Sequence, residues 1–397
     1  MWATVRETLM PAELSVPARG TRPRNRRALI TAAAVELFAR VGFSGVAMSD
    51  IARSVNVAPS ALYRHFPGKT ELFVAAARAT LSPFAEHLAA ASDTPLDRLV
   101  VELGALAATH RTAGVLWQRE ARLLPAEVRR EVRADLRAVA RLLAERIRRE
   151  RPGLDAERAD LLAWSALAAM ASASFHRLKG PETVLPAVLL RIVHTGFGEP
   201  AGAAVEPVAT GVAPHSRRER ILRAASVLFA DRGYPAVTID DVGEAAGISG
   251  PSVYHHFAGK QELLLAALDR GDEWLWMELG TALAAARDES DALHRLLDSY
   301  VRLASRRSEM VAVVLGELRD LPAAEVHRAR QSQHDYVTEW TELLRAVRPE
   351  LDAVAARTEV QAALMVVTAG AQTPHLVRRP GFGREVRAVA EAVLLPS

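Results

Sequence analysis

The sequence of 397 residues contains no cysteine. This absence excludes disulfide frameworks, zinc fingers, iron–sulfur clusters and thiol nucleophiles, and it fits a reducing compartment. Aromatic residues make up only 5% of the chain, while long stretches rich in alanine, leucine and arginine favour helix over sheet. The chain is therefore expected to be all-α.

An excess of one charge is also lacking, because 50 Lys and Arg residues face 47 Asp and Glu residues, for a net charge of +3. Any affinity for a polyanion must therefore come from local clusters. Long apolar runs are missing as well, since the uncharged stretch 161–175 is too short to cross a bilayer and 360–377 is interrupted by polar residues, glycine and proline. We expect no membrane partner and a cytoplasmic location.

The common enzyme motifs are absent too. The sequence has no glycine-rich phosphate loop after a strand, no Gly-x-Ser-x-Gly and no His-Glu-x-x-His. Among its 12 histidines, His327 and His334 could share a helix face near acidic residues, but no third ligand is obvious. We therefore expect no catalysis, no metal and no cofactor.

An internal duplication organises the chain. The block that runs from Arg26 to Leu72 recurs without a gap as the block from Arg217 to Leu263. Weaker matches continue beyond it at a slightly larger spacing, so the whole unit is duplicated. The segment 196–215 between the copies is rich in Gly, Ala, Pro and Val and is typical of a connector.

Each block has the pattern of helix, tight turn and helix. In the first block, helical spacing of apolar residues ends at Gly42, a second helix is predicted over 48–55, and Asn56 leads into a third at 59–65. In the second block, Thr238 with Asp241 forms a capping box for the second helix. Alanine replaces that threonine in the first block.

These residues carry a family resemblance. The run Leu62-Tyr63-Arg64-His65-Phe66-Pro67-Gly68-Lys69-Thr70-Glu71-Leu72 and its second copy, 253–263, resemble the end of the helix-turn-helix in TetR-family transcriptional regulators. The resemblance implies six segments: a basic arm (1–24), a first DNA-binding domain (25–73), a first helical regulatory domain (74–195), a linker (196–215), a second DNA-binding domain (216–264) and a second helical regulatory domain (265–397).

The resemblance implies double-stranded DNA as a partner. Small or polar side chains of the third helix suit base edges in the major groove, while the tyrosines, and the lysines at the next helix start, suit phosphates. The predicted DNA-binding residues are Arg26, Ser49, Ser60, Ala61, Tyr63, Arg64, His65 and Lys69 in the first block, and Arg217, Thr238, Ser252, Tyr254, His255, His256 and Lys260 in the second. Phe38, Phe66, Phe229 and Phe257 are predicted to be core.

A basic cluster precedes the first block. Arg19, Arg22 and Arg24 lie close to Arg26 and Arg27 without an acid among them. They could form an arm that enters a minor groove or a solvated basic tail, and the sequence leaves both open.

The family resemblance also implies a small-molecule effector. Candidates for an apolar pocket with a few polar groups are Trp117, Arg122, Trp164, His176, Arg319, Trp340 and His375. At helical spacing the tryptophans could equally be core, the arginines solvated and the histidines polar ends of helices. A lipid-like, acyl-thioester or drug-like effector would fit.

TetR-family proteins generally act as homodimers, whereas here both units lie in one polypeptide. The sequence therefore predicts an intramolecular pseudo-dimer, in which 159–177 and 186–194 pack against 358–376 and 384–394, with a further homodimer possible. The expected function is a repressor released by a ligand. The alternative is a ligand-binding protein in which one head is only a scaffold. A rival of another class is a ligand-binding or enzymatic protein whose heads are vestigial. The intact Tyr-x-His-Phe-x-x-Lys run in both copies argues against it, since folding alone does not demand Lys69 and Lys260.

Overall fold

The computed structural model describes residues 25–176, 178, 181–198, 212, 214–316 and 321–395, so the basic arm and most of the linker lie outside it. In these ranges every regular element is helical, which confirms the all-α prediction. The first half contains α1 (Arg26–Val41), α2 (Met48–Ser54), α3 (Pro59–Tyr63), α4 (Lys69–Ala90), α5 (Leu96–Thr109), α6 (Ala126–Glu150), α7 (Ala156–Ser172) and α8 (Pro181–Val193).

The second half repeats this order, with two added short helices. It contains α9 (Arg217–Arg232), α10 (Ile239–Ala246), α11 (Gly250–Val253), α12 (Lys260–Ala285), α13 (Glu289–Arg306), α14 (Ser308–Gly316), α15 (Ala323–Val347), α16 (Ala353–Ala371), α17 (Pro374–Val377) and α18 (Phe382–Leu394). The added helices are α14 and α17. Irregular turns complete the chain: a π-helical turn (Val115–Arg119) and a 3₁₀ turn (Glu120–Leu123) join α5 to α6, and a 3₁₀ turn (Tyr234–Ala236) joins α9 to α10.

Each half begins with a three-helix head, α1–α3 or α9–α11, against which the start of α4 or α12 packs. Phe38 and Phe66 in the first head, and Phe229 and Phe257 in the second, are at most 1% exposed. The prediction that these rings are core is confirmed. Burying each ring contributes roughly 1.5 to 3 kcal/mol, which holds the short helices in place.

The turns between helices follow the sequence closely. Asn56 has a φ of 59° and Gly247 a φ of 71°, so both adopt the left-handed backbone that ends the second helix of each head. In the second head, the Thr238 hydroxyl accepts a hydrogen bond from the Asp241 N–H at 3.1 Å. In the first head, Asp50 accepts from the Ala47 N–H at 2.9 Å, but alanine cannot return the bond. Half of the capping box is lost there.

The two halves meet in a four-helix contact, in which α7 and α8 pack against α16 and α18. Small residues of α7 such as Ala163 and Ala166 are fully buried, which lets α16 approach closely. A continuous apolar cluster runs through this contact into both halves. The predicted bundle ranges differ in detail: α8 already begins at Pro181, and α16 ends at Ala371 because Pro374 cannot continue its hydrogen bonding.

Two ion pairs cross the four-helix contact. Arg191 Nη2 lies 2.6 Å from Glu359 Oε1, and Arg158 Nε lies 3.0 Å from Glu385 Oε1. Both glutamates are buried, and each also pairs with an arginine of its own half, Glu359 with Arg348 and Glu385 with an arginine at the end of α17. These pairs join opposite charges of the two halves across the four-helix contact.

Among the described helices, none combines the length and the apolar character needed to cross a bilayer.

Candidate nucleic-acid interface and ligand cavities

The recognition helices present different side chains in the two heads. In the first head Ser60 and Arg64 are exposed, whereas Ala61 is 8% exposed and faces the head. In the second head His255 is exposed, and Ser252 is half-buried with its hydroxyl 2.7 Å from the hydroxyl of Ser249. Direct base contact therefore remains a prediction best suited to the exposed residues, while Ala61 and Ser252 offer little surface.

Two tyrosines end the recognition helices in equivalent positions. Tyr63 is 52% exposed and Tyr254 is 57% exposed, although both are large aromatic residues. A tyrosine that leaves this much of its ring in solvent has its hydroxyl free to meet a phosphate oxygen. The two positions keep their predicted role.

The two lysines at the helix starts have a local role that the sequence did not reveal. Lys69 Nζ lies 4.6 Å from the centre of the Phe43 ring and donates to the Ser44 carbonyl at 3.4 Å. Lys260 Nζ lies 4.2 Å from the Tyr234 ring and donates to the carbonyl of the next residue, also at 3.4 Å. Each lysine therefore has a structural role beside its predicted phosphate contact, because it ties the start of α4 or α12 to the loop between the first two helices of its head. The lysines alone therefore do not argue against vestigial heads. Partial burial also lowers the pKa of Lys69.

Lys260→Met tests the phosphate contact while keeping most of the packing. The variant removes the charge but leaves an unbranched apolar chain over Tyr234. If Lys260 binds a phosphate, affinity should fall for all DNA sequences alike, and the slope of log affinity against log salt should flatten by about one unit. Fluorescence anisotropy across a salt series measures this, with Lys260→Arg as the matched control. An unchanged slope rejects the contact.

The other predicted DNA-binding residues lie around the same edge of each head. Ser49 and Arg217 are exposed, and Arg26, His65 and His256 are half-buried. Thr238 is exposed and serves as a helix cap. Two neighbours that the prediction omitted are equivalent in the heads, because Arg27 stacks 4.2 Å above Phe66 and Arg218 stacks 4.4 Å above Phe257.

A cavity of about 360 Å³ lies in the first half, within the range of about 300 to 1,000 Å³ typical of small-molecule sites. Four predicted pocket residues border it: Trp117, Arg122, Trp164 and His375. His375 comes from the second half, where its ring lies 5.6 Å from Trp164 and its Nε2 lies 2.9 Å from Asp160. The end of α16 and the turn after it therefore close a cavity whose walls belong to the first half.

Three predicted pocket residues lie elsewhere. Trp340 is fully buried between Tyr300 and Tyr336, with ring centres 6.1 and 6.3 Å away. Its assignment to a pocket was wrong, since it fills the core. His176 borders neither of the two cavities described here, and its Nδ1 lies 3.2 Å from an Arg111 nitrogen. Burial, Arg111 and Arg357 lower the pKa of His176 to about 4. Arg319 lies outside the described residues.

A second cavity of about 620 Å³ occupies the equivalent place in the second half. The first half also lines this cavity, through the turn after α7 with Phe175, residues within 115–122, and Ala39 and Arg40 of the first head. Its lining includes Gln361, whose Oε1 is buried without a hydrogen-bond partner among the described residues. Gln361 was not predicted from the sequence, and neither were Arg130, Arg133 and Arg137 of the first cavity. Their spacing of three and four on one helix face was the available signal.

The wall of the first cavity contacts both heads. Glu120, which is buried, accepts a hydrogen bond from the Phe43 N–H of the first head at 2.8 Å. Arg129 lies 3.5 Å from the Asp231 carboxylate of the second head and donates to the carbonyl of the same residue. The segment between these two positions includes Arg122 of the cavity wall. One short stretch of chain thus touches the cavity, the first head and the second head.

In the described part of the chain, no three histidine, aspartate or glutamate side chains lie together as a metal site would require.

The family model for bacterial regulatory proteins of the tetR family matches residues 30–76 and 221–267. The repressor KstR2 of Mycolicibacterium smegmatis is 30% identical over 148 residues, which are 35% of this chain and 71% of that protein. The activator FasR of the same organism is 38% identical over 84 residues, 21% of this chain and 38% of that protein. The solved ketosteroid regulator KstR2 of Mycobacterium tuberculosis is 23% identical, covers 47% of this chain and 97% of its own, and has a TM-score of 0.40.

The two matched segments span both three-helix heads, and the relatives with these heads are named helix-turn-helix regulators of transcription. The chain belongs to the TetR family and is a DNA-binding transcriptional regulator with two helix-turn-helix heads.

Proposed function

We propose that this regulator is a repressor whose single chain forms the complete DNA-binding unit, with its heads on two half-sites of one double-stranded operator. The observation that carries the proposal is the contact of α7 and α8 with α16 and α18, which joins two halves of one chain as an isologous contact joins two subunits. The repressor KstR2, which aligns with this chain over 148 residues, supports repression by its name. Because DNA is its partner, we place its action in the cytoplasm.

The operator is expected to consist of two unlike half-sites. Arg64 of the first head is replaced by His255 in the second, and Ser60 by Pro251. An arginine at such a position can bind guanine through two hydrogen bonds, whereas histidine and proline cannot. The two heads should therefore read different bases, and the operator should be an imperfect palindrome.

Release by a small-molecule effector follows from the position of the cavities. Each cavity is lined by residues of both halves, so a ligand that fits only one arrangement of the halves changes the spacing of the heads. The stretch from Glu120 to Arg129 borders the first cavity and contacts both heads. A coupling free energy of about 1 to 3 kcal/mol between ligand and DNA would release the operator.

The second candidate is a ligand-binding regulator in which the first head is only a scaffold. The observation that favours it is Ala47, which leaves α2 without the side-chain cap that Thr238 provides in the second head. Loss of such a cap costs about 1 kcal/mol of helix stability. Comparing the DNA affinities of Arg64→Glu and His255→Glu separates the two candidates.

Sedimentation of the chain with duplex DNA that carries both half-sites tests the proposal. We expect a protein component of one chain, 43.0 kDa, bound to one duplex at micromolar concentration. A linker of about 20 residues holds the heads at a millimolar effective concentration, so pairing should not depend on protein concentration. If a further homodimer forms, the single chain must still bind. Binding by the doubled species alone, with four heads, contradicts the pseudo-dimer.

A further inference from the structure

The end of α1 in the first head is held by two residues of the irregular turns between α5 and α6. Arg119 Nη2 donates to the Ala39 carbonyl at 3.3 Å, which places a positive charge at the negative end of the helix dipole. Glu120 pairs with Arg119 at 2.8 Å and accepts a hydrogen bond from the Phe43 N–H, also at 2.8 Å. These contacts join the first head to the regulatory domain of its own half.

The same segment of chain also reaches the second head. Arg129 donates to the Asp231 carbonyl, and its Nη1 lies 3.5 Å from the Asp231 carboxylate. The Arg129 side chain is only 15% exposed. Leu123 packs on Gly233, whose φ of 77° favours glycine, and a Cβ at this glycine would overlap the leucine. Residues 119–129, the head bridge, therefore contact the ends of the first helices of both heads.

The charge at the end of α9 suits the head bridge and not its own helix. A base in the last turn of a helix is favoured by the helix dipole, whereas an acid is disfavoured. The first head has the favoured Arg40 in this turn, and the second head has Asp231 at the equivalent position. Burial and the charge of Arg129 lower the pKa of Arg133, and Asp231 counteracts this decrease. The aspartate thus complements arginines of the opposite half.

The duplication has not kept an equivalent contact in the opposite direction. Counting from the starts of α6 and α15 pairs Arg129 with Val326. Val326 packs against the apolar core of its own head, and a valine side chain can neither donate a hydrogen bond nor pair with a charge. Arg40 borders the second cavity together with Arg330, which has the same charge. Within the described ranges, this ion pair therefore runs in one direction, from the first half to the second head.

We propose that Arg129 is a positioning residue for DNA binding. Through Asp231 it sets the separation and orientation of the second head relative to the first, so the chain accepts only one spacing between half-sites. The inference rests on the proposed function in that both heads bind one operator. Each added base pair moves one half-site by about 3.4 Å and turns it by about 35°. A second head that the bridge fastens to the first half does not follow such a displacement, whereas a head held by its own half alone can turn to meet it.

The distance between the heads of the free chain tests the positioning role without DNA. Because the chain has no cysteine, Arg53→Cys and Glu244→Cys place one spin label each on equivalent exposed positions of α2 and α10. Dilution with unlabelled chain restricts pulsed double electron resonance to distances within one chain. We expect one narrow distribution, which Asp231→Arg should broaden and displace because arginine is repelled by the arginines of α6. Asp231→Ala should have a smaller effect of the same kind, and Arg40→Ala is the matched control.

The spacing of the half-sites gives the second measurement. The probe is a duplex with both half-sites, obtained by binding-site selection with the wild-type chain. Inserting two base pairs between the half-sites should lower wild-type affinity by about 100-fold, because the heads then bind one at a time. In Asp231→Arg the same insertion should lower affinity by less than about tenfold. Thermal melting followed by circular dichroism should show no lower midpoint for this variant, since arginine suits the end of α9.

The two measurements fail in different ways. An unchanged distance distribution in both Asp231 variants, or an equal change in Arg40→Ala, would overturn the positioning role whatever happens with DNA. Equal losses on insertion for the wild type and Asp231→Arg would overturn the link to half-site spacing. If the distances respond as expected but a single chain does not bind two half-sites, the positioning role stands and the proposed function is contradicted.

Discussion

Placing a glutamate at the end of either recognition helix is expected to lower operator affinity by about 100-fold or more. Arg64→Glu in the first head and His255→Glu in the second each place a carboxylate on an exposed position that faces the phosphates in the proposed complex. The carboxylate repels DNA and removes the base contact of that head. Since the heads are joined in one chain, the loss of one contact also removes the gain from intramolecular binding by the other. Fluorescence anisotropy at one fixed salt concentration measures both variants.

Arg141→Glu is the matched control for Arg64→Glu and His255→Glu. It makes the same change of net charge as Arg64→Glu, but its side chain lies exposed on α6, outside the heads. We expect little change in its affinity. A large loss in His255→Glu with none in Arg64→Glu would identify the first head as a scaffold. If the operator affinities of both variants equal that of the control, the recognition helices do not bind DNA.

The heads were predictable because their structure is encoded in short stretches of sequence. The positive φ of Asn56 and the end of α10 at Gly247 follow from residue type and from the helical spacing around them. What failed depends on contacts between elements. The ring that Lys69 covers belongs to Phe43 in the loop between α1 and α2, and the inward face of Ala61 is set by how α3 lies on α2. Neither follows from the motif.

The cavities were harder to predict because distant parts of the chain form them. Trp164 and His375 are brought together only when the two halves pack. The sequence could therefore name both as pocket candidates but could not predict that they border the same cavity. Trp340, like Trp164, is a tryptophan within a helical segment, yet its neighbours Tyr300 and Tyr336 enclose it. Whether a tryptophan is buried, as Trp340 is, or borders a cavity, as Trp164 does, depends on packing between helices. Helical spacing does not predict that packing.

Removing the carboxylate of Glu359 is expected to destabilise the four-helix contact between the two halves strongly. This buried carboxylate pairs with Arg191 of the first half at 2.6 Å and with Arg348 of its own half at 2.6 Å. Glu359→Ala leaves the largely buried guanidinium group of Arg191 without an acid and leaves Arg348 with only the exposed Glu350. We expect this to lower the free energy of unfolding by about 3 kcal/mol. Arg191→Ala should cost less, because Glu359 keeps Arg348. Urea denaturation followed by circular dichroism measures both.

The control is Glu350→Ala, which removes an exposed partner of the same Arg348 and should leave stability nearly unchanged. If the four-helix contact pairs the heads, Glu359→Ala should also weaken binding to a duplex with two half-sites while sparing the weaker binding to a single half-site. That difference matters because general unfolding would reduce both equally. Equal stability of the Glu359 and Glu350 variants would show that the buried ion pair does not hold the halves together. An unchanged preference for paired half-sites would show that the heads are aligned by some other contact, such as that between Arg129 and Asp231.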